Sequence, residues 1–351
     1  MSQSDEIALN PSQLAVAMRA TVKAHGRLLV KGEPGIGKTF IEEQVAEEFK
    51  ATNVIMHPSV DDPTDYKGYP FIVNGKAEHV PFGKLRVLDD AKELTICFID
   101  DLGQGTPGVQ AAVMQMLDRY RKNPHVVFIA ATNERSHRAG VTGLLEPVKS
   151  RFDSIIRLGI HFPSWKAWAM DHDIDYRVIG YLEQQPEALH KFEPNADIVN
   201  QPSPRTWVGA SKILGMSLGD DDVRFAMLVG AVGSAAATTF AAWLKIAEDA
   251  PSRDDIIKDP KNARIPKESS ALYAVAAALA HGFQKKEFPA ISIYMQRMYA
   301  EEHGEFCALL FKDVYRKDPT IKDTPTFVQM AKTPLSKLIL EAVRFNQTEG
   351  K

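Results

Sequence analysis

Eight consecutive residues, Gly32-Glu33-Pro34-Gly35-Ile36-Gly37-Lys38-Thr39, satisfy the pattern G-x-x-x-x-G-K-[ST] between an apolar run and a helical one. Glycines at these places admit positive φ values, so backbone N–H groups can converge on phosphate oxygens, and a helix starting at Lys38 adds the positive end of its dipole. Lys38 is then placed to neutralise β- and γ-phosphates and Thr39 to set its hydroxyl on Mg²⁺. Gly-rich strand-to-helix turns also occur as plain connectors, so a second element matters. The run Leu94–Ile99 ends in Asp100-Asp101, sixty-one residues beyond Thr39. Strand ends are where parallel sheets bind ligands. Asp100 is the candidate magnesium partner, directly or through water, and Asp101 the candidate base or orienter of an attacking water. The alternative for both acids is a helix cap or a solvated turn.

These residues need a scaffold that brings strand ends together. Short apolar runs at Arg27–Lys31, Thr52–Met56, Leu94–Ile99, Val126–Ala131 and Ser154–Leu158 alternate with amphipathic stretches, the pattern of strands and crossover helices in a parallel sheet. Lys38–Phe49 and Pro107–Tyr120 read as helices, the second opened by Thr106 as N-cap with Pro107 at its first position. Between His57 and Leu88, Asn74-Gly75 flanked by apolar residues predicts an inserted hairpin. After Pro163 helix formers take over. Ser164 is the expected cap of a helix over Trp165–Gln185, another runs over Ser203–Leu214, and the chain reads as wholly helical from Asp220. Ala-rich segments at Ala231–Ala247 and Ala271–Ala280 would let helix backbones approach closely, with Glu248–Pro266 as a connector.

Three further motifs follow in order: Val126-Val-Phe-Ile-Ala-Ala-Thr132-Asn133 at a third strand end, Lys149-Ser150-Arg151-Phe152-Asp153, and Gln201-Pro-Ser203-Pro204-Arg205-Thr206-Trp207. With the two motifs above, they make the sequence resemble the AAA+ ATPases, and within them the MoxR-like branch, over about residues 10–215. The resemblance implies an α/β P-loop NTPase core with a parallel five-stranded sheet over 1–162, carrying the hairpin insert near 57–88. A helical lid over 163–218 and an all-α C-terminal domain over 219–351 would follow. Asn133 looks like the sensor 1 residue that helps hold the attacking water, for which an amide has both donor and acceptor. Arg151 looks like the finger that reaches a neighbouring subunit's site, with Arg135 and Arg138 as nearby competitors. Arg205 is similar to the sensor 2 residue. Locally, Ser203 and Pro204 would place Arg205 in the first turn of a helix, where a cation opposes the dipole unless an anion is brought there. The family's second motif normally ends in Asp-Glu, and Asp101 is one methylene shorter, which predicts slow or partner-dependent hydrolysis. The segment Leu117–His125 is too short for the long hairpin that such proteins usually carry before sensor 1.

Composition sets outer limits. The 351 residues hold 42 Lys+Arg against 45 Asp+Glu, a net charge of −3, which builds no field for coating a polyanion. Arg119-Tyr120-Arg121-Lys122 reads as a solvated helix end, with contact to nucleic acid or to a channel substrate as the alternative. Cys97 and Cys307, far apart, offer neither a disulfide framework nor a zinc cluster, and suit a reducing cytoplasm. The opening MSQSDEIALN lacks the pattern of a secretory signal. Phe225–Leu244 is uncharged and twenty residues long, but seven of these are Ala, so it reads as a packed helix rather than a membrane span. Ten histidines show no metal-ligand spacing, which leaves Mg²⁺ as the expected metal and ATP as its companion. The expectation is an ATP-hydrolysing ring, hexameric by resemblance, that remodels or activates a partner protein. For that branch the partner is of the kind bearing a von Willebrand factor A domain. The alternatives are a nucleotide-controlled assembly scaffold with little hydrolysis, or a nucleic-acid motor.

Overall fold

Apolar runs without alternation must be buried on both faces, and this requirement organises the first half of the chain. The computed structural model describes residues 7–133, 143–193, 198–337 and 339–340, so Arg135 and Arg138 lie outside the described residues. Two compact units are present. The first holds the described residues through Trp165 with Phe192, Glu193, Ile198 and Ser203–Arg205, and the second holds Lys166–Lys191, Val199–Pro202 and the described residues from Thr206 onward.

The first unit is built on β1 (Ala8–Leu9), β2 (Arg27–Lys31), β3 (Thr52–Met56), β6 (Thr95–Ile99), β7 (Val126–Thr132) and β8 (Ser154–Leu158), all parallel in the order β1-β8-β2-β7-β6-β3. The sheet therefore has six strands, not the expected five. β1 is two residues long, too short for any periodicity, and is held by pairing Ala8 with Arg157 and Leu9 with Leu158. Behind it α1 (Pro11–Lys23) opens on a capping box in which Asn10 and Gln13 exchange bonds of 2.9 Å.

Alternate residues of the central strands feed two cores. Leu28, Val30, Ile96, Phe98, Val127 and Ile129 pack with α1 and α2 (Lys38–Glu48). Leu29, Cys97, Ile99, Phe128 and Ala130 pack with α4 (Gly83–Asp89) and α5 (Pro107–Arg119), which Thr106 caps as expected by accepting from Val109 N–H. The insert is a hairpin with helical flanks. α3 (Pro63–Lys67) precedes β4 (Tyr69–Val73) and β5 (Lys76–Val80), whose turn residues Asn74 and Gly75 have φ of 52° and 78°, the left-handed pair that a two-residue turn requires. α6 (Glu146–Lys149) leads through a turn into β8.

In α7 (Phe162–Asp171) the chain passes into the second unit. The helix starts earlier than expected, because His161 rather than Ser164 makes the cap: its Nδ1 accepts from Ser164 N–H. Nor does the helix run on to Gln185. It stops at Asp171, and Asp175 caps a separate α8 (Tyr176–Gln184). There follow α9 (Pro204–Leu214), α10 (Asp221–Val232), α11 (Ser234–Ala247), α12 (Arg253–Lys258), α13 (Ser269–His281), α14 (Phe288–Ala300), α15 (Gly304–Lys317) and α16 (Pro325–Met330). The uncharged stretch is broken at Gly233, whose φ of 82° ends α10, and among the described residues no helix is long and apolar enough to cross a membrane. The supposed connector 248–266 contains α12. In the second Ala-rich segment α13 buries Ala271, Ala274, Ala276, Ala277 and Ala280, and a Cβ on Gly180 of α8 would sit 3.2 Å from Tyr273 O of that helix.

Candidate nucleotide site

The register of the sheet brings three strand ends level. Lys31 pairs with Thr132 and Ile99 with Ala130, so the residues that follow β2, β6 and β7 emerge side by side at the carboxyl edge. The loop after β2 is tied there directly, since Gly32 N–H donates to Thr132 O at 3.2 Å. A Cβ on Gly32 would approach Leu158 O to 2.9 Å. Gly35 and Gly37 hold φ of 75° and 101°, and Gly37 is the residue from which α2 starts. Space is open around a Cβ at Gly37, so its backbone angle alone demands glycine. Ile36 turns inward to the core and is 7 % exposed, while Glu33 contributes its carbonyl and Pro34 continues the loop.

Lys38 is buried, and its Nζ donates to Gly32 O at 3.0 Å, Glu33 O at 2.8 Å and Asn133 Oδ1 at 3.0 Å. The Asn133 amide then donates through Nδ2 to Asp101 Oδ1 at 3.1 Å. Thr39 Oγ1 donates to Asp100 Oδ2 at 2.9 Å, and Asp100 Oδ1 accepts the Asp101 N–H at 3.0 Å. Lys38, Thr39, Asp100, Asp101 and Asn133 are thus one hydrogen-bonded set, assembled from residues up to 95 positions apart. Asp101 has a left-handed backbone with φ of 53°, an uncommon state for a non-glycine residue, where β6 gives way to a 3₁₀ turn. Burial, then the neighbouring Asp100 charge, pushes its carboxyl up, opposed by Lys38, Arg205 and His57. A half-buried acid raised in this way is a better proton acceptor than an exposed one.

Arg205 lies in the first turn of α9, and its N–H donates to Gly35 O at 3.2 Å. A side chain at Gly35 would meet Ser203 Oγ at 2.9 Å, so the Ser203–Arg205 segment lies directly against the phosphate loop. Arg151 is not part of the set. Its Nη2 donates to Asp118 Oδ2 at 2.8 Å and its Nη1 to Pro147 O at 2.6 Å. The donor chemistry fits a magnesium nucleotide: a cationic Nζ and helix-start N–H groups for phosphates, and a hydroxyl and carboxylate already in contact for a hard cation.

Sequence reasoning did not single out three contributors. His57, just past β3, acts electrostatically on Asp101, and the strand end before it was a readable signal. Buried Gln110 bonds Gly105 O, Gly143 O and Leu145 N, fixing the approach to α6. Glu42 lies one helical turn beyond Lys38 and is fully buried.

Residues 28–160 match the model of the ATPase family associated with various cellular activities (AAA). The matched segment holds the phosphate loop, Asp100-Asp101 and Asn133. No curated protein matches the chain. Among solved structures, a RuvB variant from Thermotoga maritima is 15 % identical, with 83 % of this chain and 86 % of that one covered and a TM-score of 0.39. A structure described as the T. maritima RuvB Holliday junction branch migration motor is 14 % identical over 82 % and 75 %, with a TM-score of 0.34.

Proposed function

We propose that the chain is a MoxR-like AAA+ ATPase that hydrolyses Mg-ATP in a ring, hexameric by resemblance, and uses the cycle to remodel or activate a partner protein. The observation that carries this reading is the single hydrogen-bonded set of Lys38, Thr39, Asp100, Asp101 and Asn133 beside a left-handed glycine loop. Lys38 and the loop N–H groups hold the phosphates. Thr39 and Asp100 hold Mg²⁺, which when bound offsets charge on the phosphates. Asp101 orients an attacking water and takes its proton, and Asn133 keeps that carboxylate in line with Lys38. Arg205 reads the phosphate from the start of α9. Arg151 completes the site of the next subunit. We assign residues 163–218 to a lid and 219–351 to a C-terminal domain for ring-specific or partner contacts. The near-neutral charge favours a protein client, such as one with a von Willebrand factor A domain, over nucleic acid, in the cytoplasm.

The test is ATP turnover per subunit against protein concentration with Mg²⁺. Turnover that rises with concentration, and that Lys38→Ala abolishes together with nucleotide binding, is the expected result. A flat wild-type rate near zero with intact binding would instead support a nucleotide-controlled scaffold, which the short acid at Asp101 favours. Asp101→Glu separates these readings. Because the 3.1 Å bond to Asn133 is made by an aspartate on a left-handed backbone, the longer acid is expected to cost about tenfold to a hundredfold in turnover. A large gain would mean that the native site is built to hold ATP rather than split it.

A further inference from the structure

Arg151 is held at both of its levels, backbone and side chain. Phe152, next in the chain, is 8 % exposed in the core shared with α5, and Asp153 accepts the Arg27 N–H at the start of β2 at 2.7 Å. The backbone of Arg151 is therefore fixed without help from its own side chain. Even so, the guanidinium is gripped: Nε and Nη2 lie 3.0 and 2.8 Å from Asp118 Oδ2, and Nη1 lies 2.6 Å from Pro147 O. Of its five N–H groups three are spent in these bonds. Among the described residues, one N–H on each terminal nitrogen is left for a phosphate oxygen.

Asp118 does little for folding. It is 47 % exposed and Arg151 is 26 % exposed, a setting in which ion pairs contribute little stability. It also lies in the last turn of α5, where a carboxylate opposes the helix dipole. An arginine swinging freely would have to lose its rotamer freedom at the moment of reaction, whereas a clamped one has lost it beforehand. We propose that Asp118 is the positioning residue of the Arg151 finger, fixing the guanidinium so that its remaining N–H groups are available to the neighbouring subunit's nucleotide. This rests on the shared-site reading above.

Asp118→Ala and Asp118→Asn, made in the full chain, test it. Thermal midpoint and ATP KM should stay at wild-type values while kcat falls about tenfold to a hundredfold. An equal mixture of Asp118→Ala with Lys38→Ala should regain turnover, because each Lys38→Ala subunit brings an intact Asp118–Arg151 pair to its neighbour. Wild-type turnover in both Asp118 variants, with Arg151→Ala inactive, would overturn the role of Asp118 and leave the shared site standing. A loss that the mixture does not restore would place the defect in the subunit's own fold and also overturn it. Full turnover in Arg151→Ala would instead bring down the shared-site reading itself.

Discussion

Arg151→Ala is expected to lower ATP turnover by about 10³- to 10⁵-fold while nucleotide binding stays intact, the range that finger arginines supply in nucleotide hydrolysis. The reason lies in where its charge is needed. Negative charge spreads over the equatorial oxygens of the transferring phosphoryl group, and among the described residues Lys38 and Arg205 are cations that the fold brings to the loop. Among the described residues Arg151 bonds Asp118 and Pro147, and on the proposed reading its contribution is made in trans. The decisive measurement mixes it with Lys38→Ala in equal amounts. Each variant alone should be inactive, and in a head-to-tail ring about one interface in four pairs an intact phosphate loop with an intact finger. Recovery to that order shows sites shared between subunits. No recovery, with rings still forming, would assign Arg151 to its own subunit.

What the sequence made legible was local. Gly35 and Gly37 announce themselves because only glycine tolerates their left-handed backbone, and Asn74-Gly75 because a two-residue turn needs two such residues in succession. The runs at β6 and β7 were readable because strands covered on both faces cannot alternate. What was missed depends on partners distant in sequence. β1 exists only through β8, about 150 residues later. Gln110 looks like any helical glutamine until Gly143 and Leu145 fold against it. Asp118 reads as a surface acid until Arg151, 33 positions on, reaches it. The candidate site therefore splits along the same line: its residue types were legible as motifs, whereas the bonds that join Lys38 to Asn133 and Asn133 to Asp101 are products of the sheet register alone.

Glu42→Gln is expected to stabilise the protein at pH 8 by about 3 kcal/mol and to leave it nearly unchanged at pH 5. Glu42 is fully buried on α2, and burial, helped by the charges of Glu43 and Asp100, pushes its carboxyl up to about 7 against a smaller opposing effect of the Asn53 bond. Its Oε2 accepts from Asn53 Nδ2 at 3.1 Å, while its Oε1 and Asn53 Oδ1 are both buried oxygens without a hydrogen-bond partner. A proton on Glu42 removes the buried charge and turns one of the two unpartnered acceptors into a donor. A glutamine has that donor permanently. The sign follows from linkage. In the unfolded chain Glu42 ionises in the ordinary carboxylate range, whereas in the fold it keeps its proton to about 7, so its contribution is complete at low pH and is lost as pH rises through 7. Chemical denaturation of wild type and Glu42→Gln across pH 5 to 8 checks this, with Glu42→Ala as the control that empties the space and destabilises at every pH. If the gap between wild type and Glu42→Gln fails to widen toward pH 8, Glu42 is ionised throughout and some other group satisfies it. If it widens, the helix that carries Lys38 and Thr39 rests on a neutral acid, and raising the pH above 7 loads a negative charge beneath the phosphate loop.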